Sequence, residues 1–143
     1  MVQTSCKKDP VLTISDFKSL KVTDLANGIW ELEHHNFQGI RNTAPTDNLA
    51  KYITFNSDST FIGYTGCNSI EGIYYANDSG NIFFFSLLNS TGAPCPSGTG
   101  EWHDIMTNQL LAAKTFSITN NTLIIVASST DTIDQLHFTK MPQ

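Results

Sequence analysis

The stretch GYTGCNSIEGIYY, residues 63–75, interrupts a run of strand-forming residues with Gly66-Cys67-Asn68 and resumes it at once. Aromatic and β-branched residues on either side favour extended chain, where they pack against neighbours on a pleated surface. Gly66 and Gly72 lack a Cβ, so the backbone can bulge or bend sharply between them. The side chain of Asn68 can bond nearby backbone N–H groups where the strand ladder is broken. The stretch therefore reads as two strands meeting at a built-in corner. A sheet that rolls into a barrel needs such corners.

Working outward, KYITF (51–55) and TFIGYT (60–65) are joined by Asn56-Ser57-Asp58-Ser59, and IEGIYYA (70–76) and NIFFFS (81–86) by Asn77-Asp78-Ser79-Gly80. Both joints are hairpin signals. Ile53 and Phe55 share one face, with Lys51 and Thr54 set out of phase with them, while Ile70, Gly72, Tyr74 and Ala76 share another. Phe83, Phe84 and Phe85 alternate and cannot all be buried in a sheet with one covered face, so a ring is left to cover the helix or meet a partner. GIWELEH (28–34) opens the series. Between Gly98 and Lys114 the period changes: Trp102, Ile105, Met106, Gln109, Leu110 and Ala113 recur at helical spacing. Thr99 and Glu101 suit a helix start, which predicts a helix over about 99–113. TFSI (115–118), TLIIVA (122–127) and IDQLHFT (133–139) follow as strands. The expected fold is α+β, mostly antiparallel, with about eight strands rolled into an open barrel-like sheet and one substantial helix. Trp30, Ile53, Phe55, Ile82 or Phe83, Leu123 or Ile124, and Phe138 are expected to meet Trp102, Ile105, Met106 and Leu110 in a single core.

A length of 143 residues is that of one domain. A net charge of -5 has the wrong sign for a phosphate-neutralising surface, so no nucleic-acid partner is expected. No apolar run approaches the ~20 residues of a membrane-spanning helix. Residues 1–27, which include Lys7, Lys8, Lys18 and Lys21, read as a tail and lead-in; residues 28–143 form the domain, with packing beginning near Trp30.

GCNSIEGIY (Gly66, Cys67, Asn68, Gly72, Tyr74) resembles the G-C-N-x-x-x-G-x-Y signature of the META domain (HslJ-like) family. Other landmarks fall in the family's order: WEL (Trp30, Leu32) resembles its opening W-x-L, STGAPC (Thr91, Cys95) its T-x-x-x-C element, and EWHDIMTNQL its helix. Pro94 departs from the small or apolar residue expected there. The resemblance implies a structural disulfide between Cys67 and Cys95; two buried reduced thiols are the alternative. It also implies a non-enzymatic envelope domain with a stress-protective role, since heat inducibility and resistance to an amphiphilic antibiotic belong to that family.

The third cysteine, Cys6, stands in TSCKKD, which resembles the start of a mature bacterial lipoprotein acylated on that residue. Met1–Ser5 is too short and too polar to be the apolar part of a leader, so either the leader has been trimmed or the likeness is accidental and Cys6 is a free thiol. The lipoprotein reading places the chain in the cell envelope, in the periplasm or at the outer membrane, with the membrane as partner through the lipid on Cys6. A monomer is expected.

Catalytic and metal chemistry find little to stand on. His34 and His35 are adjacent and on a strand point to opposite faces, so they cannot chelate together. Glu101, His103 and Asp104 cluster near the helix start, where acids suit the helix dipole. A Cys95–His103 nucleophile pair requires a free thiol. No catalytic residue, cofactor or metal is therefore expected. The alternatives are a lipocalin-like carrier of a small apolar ligand inside the rolled sheet, or an enzyme; an envelope protein is a further possible partner.

Overall fold

Turn chemistry and period-2 burial produce nine strands in the structure, a computed structural model that describes residues 22–45, 49–89, 94–96, 100–129 and 132–143. The strands are β1 (Ile29–Phe37), β2 (Ile40–Thr43), β3 (Lys51–Phe55), β4 (Thr60–Thr65), β5 (Ser69–Ala76), β6 (Ile82–Asn89), β7 (Thr115–Thr119), β8 (Thr122–Ser129) and β9 (Thr132–Lys140). One helix, α1 (Gly100–Leu111), lies between β6 and β7. The sheet runs β6-β5-β4-β3-β1-β9-β8-β7, with β2 added to β1, and its pairings are antiparallel. Its outer strands meet at one end, where Ile82 N donates to Lys114 O (3.0 Å) and Phe116 N to Gly80 O (2.8 Å). The result is a curled half-barrel with α1 packed on β4, β6, β8 and β9.

The concave side is filled. Trp30, Ile53, Phe55, Phe61, Ile82, Leu123 and Phe138 are at most 1% exposed and join Trp102, Met106 and Leu110 of α1 in one cluster. At the two alternative core positions, Ile82 and Leu123 face inward. Ile105 packs on the cluster only partly buried. Phe55 meets Tyr74 edge-on at 4.9 Å, and Phe61 meets Phe84 edge-on at 5.0 Å, the arrangement that ring quadrupoles favour. This packing occupies the space on which the carrier alternative relies.

Four local details differ from the sequence reading. Lys51 lies on the same face as Ile53 and Phe55 and is 4% exposed, because its stem runs beneath Gly66 and Nζ donates to Leu49 O at 3.0 Å. Packing begins at Leu25, fully buried, because a 3-10 turn at Val22–Asp24 folds back and the Leu25 carbonyl accepts the Trp30 indole N–H at 2.9 Å. β2 has four exposed residues and no apolar alternation; a two-residue turn, Gln38-Gly39, sets it beside β1. Helix α1 ends at Leu111, two residues short of the expected 113, and Thr99 lies outside the described residues.

Candidate functional site

The corner between β4 and β5 is made by Gly66, whose φ of 87° is left-handed, and by a clasp between Thr65 and Asn68. Thr65 N donates to Asn68 O (3.0 Å), Thr65 Oγ1 donates to the same carbonyl (3.1 Å), and Asn68 N donates back to Thr65 Oγ1 (3.1 Å). With the hydroxyl proton committed to that carbonyl, His103 in the first half of α1 reaches Thr65 Oγ1 at 2.9 Å as a donor through Nδ1. Cys67 is bonded to Cys95, with Cα atoms 5.3 Å apart, and the Asn68 amide lies against both sulfurs at 3.4 and 3.6 Å. The corner is thus tied to the entry of α1 through a disulfide and a side-chain hydrogen bond.

The other motif residues hold the frame. Tyr74 OH donates to Asn56 O at 2.9 Å, and burial, with Asp58 adding to it, raises the phenol above its ordinary pKa. Gly72 passes close to β6. Trp30 anchors the lead-in, with Lys140 Nζ 5.8 Å from the centre of its ring. Thr91 lies outside the described residues, as does Cys6. Sequence reasoning missed Thr65, Lys51 and His103 as members of the corner. Thr65 was legible only as the residue just before Gly66, and His103 only as part of an acidic helix start or as a partner for a free Cys95 thiol.

A second polar cluster lies on the convex face. The register of β1 against β9 shifts between Leu32 and His34, so His34 faces His137 while His35 turns inward beside Leu136. The His34 and His137 rings stack with centroids 4.1 Å apart. Glu33 accepts from Arg41 (3.2 Å) and from Thr139 (2.9 Å). Asn36 and Gln135 bond the His137 Nε2. His35 is 5% exposed, with neither ring nitrogen hydrogen-bonded. Among the described residues, no three His, Cys, Asp or Glu side chains converge as a metal-ligand set.

Burial is the main cause holding the three imidazoles below their ordinary pKa. Arg41 adds to this at His34, and the stacked His34 adds to it at His137, while Asp134 partly opposes it at His35. Each folded pKa lies below its unfolded value, so the unfolded chain binds more protons between the two. Their stabilisation is complete above about pH 6.5 and drains as pH falls through that value towards the folded pKa. Stability should therefore drop between about pH 7 and pH 5, by up to ~1.4 kcal/mol per pH unit for each extra proton bound by the unfolded chain. Denaturation midpoints across that range should fall less steeply in His35→Leu; an equal slope would remove His35 from the account.

β1 and β3 pair only from Ile29 to Glu31, and beyond that point they part. The wedge between them is an open cleft of about 410 Å³ lined by Glu31, Thr43, Pro45, Leu49, Lys51 and Thr139, among others. Among the described residues, the side chains of Glu31 and Thr43 have no hydrogen-bond or ion-pair partner there.

A half-barrel of antiparallel strands wrapped on one helix, with a disulfide tying the corner to the helix entry, defines a small β-domain whose signature residues serve its architecture. Residues 23–140 match the META domain, and the chain belongs to that family. No functionally curated protein matches it. Among solved structures, a protein from Burkholderia xenovorans is similar with a TM-score of 0.68 and 18% identity over 85% of this chain and 86% of its own. A DUF4847 family protein from Bacteroides vulgatus is similar with a TM-score of 0.57 and 19% identity over 83% of this chain and 96% of its own. At these identities the likeness is one of fold.

Proposed function

We propose that this chain is a non-enzymatic cell-envelope domain of the META type, held at a membrane by acylation of Cys6 and protective under stress. The observation that carries the reading is the Cys67–Cys95 disulfide, since such bonds persist in oxidising compartments and are rare where glutathione and thioredoxin keep thiols reduced. The polar groups of the corner support the non-enzymatic half of the reading. Thr65, Asn68 and His103 are spent on one another and on the bridge, which leaves no nucleophile beside a free base. Recognition then falls to surface features, and the cleft beside Glu31 and Thr43 is the place for a small ligand.

The test is to express the full-length gene in its own host, trap thiols on lysis and weigh the N-terminal and cysteine peptides. A peptide acylated at Cys6 is expected, together with one linked species holding Cys67 and Cys95. Cys6→Ser should abolish acylation and move the protein from the detergent phase to the aqueous phase on detergent partitioning. An unmodified Cys6 in the wild type, or reduced Cys67 and Cys95, would overturn the reading.

A further inference from the structure

β6 is an edge of the sheet and carries no charged residue from Ile82 to Asn89. On the convex face Tyr75 stands opposite Phe83, their rings stacked at 6.3 Å, and Ile73 opposite Ser86. The register of β5 against β6 shifts there, leaving Phe85 without a partner on β5 and aimed outward, 69% exposed. Leu88 is 59% exposed, Ile73 51% and Tyr75 48%. These residues are neighbours by register, and Glu71 is the only charged residue in either strand. Such a contiguous apolar face marks an interaction site.

Charge and chain path select the occupant. Residues 22–143 carry four Lys and Arg against eleven Asp and Glu, so most of the surface is repelled by anionic lipid, whereas the face of β5 and β6 carries one acid, Glu71 opposite Leu88. Val22 N donates to Asp78 Oδ1 at 2.7 Å, in the turn that joins β5 to β6. Val22, the first described residue, therefore lies at the end of the face where Tyr75 and Phe83 stand. Fifteen residues separate Cys6 from Val22, and they hold four lysines against two aspartates. An anchor on Cys6 would keep this face, before the others, within reach of the headgroups.

We propose that the outer face of β5 and β6 docks on a lipid surface, with Phe85, Leu88 and the Tyr75–Phe83 pair entering the boundary between headgroups and acyl chains. The setting rests on the envelope reading above, but the face requires no acyl chain to be tested.

Unacylated full-length chain carrying Cys6→Ser would be sedimented with vesicles of phosphatidylethanolamine containing a minority of phosphatidylglycerol. It should partition to the vesicles, and Phe85→Ser/Leu88→Ser should weaken that partition at least about tenfold while leaving the melting temperature nearly unchanged. Ile40→Ser, at a residue 64% exposed on β2, should bind as the parent does. Phe85→Trp should show a blue-shifted emission component only with vesicles. Four results would overturn the proposal: no partition of the parent, equal partition of the double variant, binding abolished by salt, which assigns it to the tail lysines, or a dimer in lipid-free solution that Phe85→Ser dissociates, which assigns the face to a second copy. Acylation of Cys6 is read separately, so failure here leaves the envelope reading standing.

Discussion

Replacing Cys67 or Cys95 by serine should lower the stability of the domain by roughly 3–4 kcal/mol, the chain-entropy value for a bridge spanning 28 residues. The spanned segment contains all of β5 and β6 and returns to the corner just before α1. Without the bridge, the unfolded chain regains the freedom of that loop, and the folded chain holds the start of α1 through the buried Trp102 and the His103–Thr65 contact. Both single variants and the double variant should lose about the same amount, because all three remove one bond. Denaturant titration under oxidising conditions measures the difference. Adding reductant should bring the wild type down to the variants and leave the variants where they were. A loss under about 1 kcal/mol would mean that packing alone fixes the loop. Cys6→Ser should be neutral in the same titration.

The elements that could be read from the sequence are those whose signal is local. Asn56–Ser59 and Asn77–Gly80 mark hairpins by turn chemistry, and Trp102, Met106 and Leu110 mark a helix by period; all three of these side chains are buried. β2 was missed because it covers nothing: Ile40–Thr43 are exposed, and only the turn at Gln38-Gly39 places them in the sheet. Lys51 was missed because a lysine in phase with Ile53 and Phe55 looks like a break in the pattern. Its burial depends on a glycine fifteen residues away, Gly66, which leaves room for its stem. Bulges are hidden for a similar reason. The shifts at Glu33 and Phe85 come from how two distant strands fit, and they decide that His34 stacks on His137 and that Ser86, not Phe85, stands opposite Ile73. At the corner, the cysteines, Gly66 and Asn68 stand next to one another in the motif, so most of it was legible. The reach of His103 to Thr65 spans 38 residues and has no local trace.

Gly72→Ala should cost at least about 3 kcal/mol, beyond what a methyl group usually costs in a core that can relax around it. Gly72 faces the concave side of β5 between Phe61 on β4 and Leu87 on β6. A Cβ there would fall within the Ser86 carbonyl oxygen, 2.6 Å from the carbonyl carbon and 2.9 Å from Cε1 of the Phe61 ring. The ring could rotate away, but the carbonyl belongs to the paired backbone of β6 and moves only if the two strands part. Parting them would disturb the Phe61–Phe84 and Phe55–Tyr74 contacts that lie on either side. Gly39→Ala makes a useful contrast: its φ of 79° is strained for alanine, but nothing lies within 4 Å, so the cost should stay near about 1 kcal/mol. The obstacle at Gly72 is backbone, so Phe61→Leu should not rescue Gly72→Ala in a double-mutant cycle. A coupling energy large enough to restore most of the lost stability would place the clash on the ring instead and leave β5 and β6 free to separate.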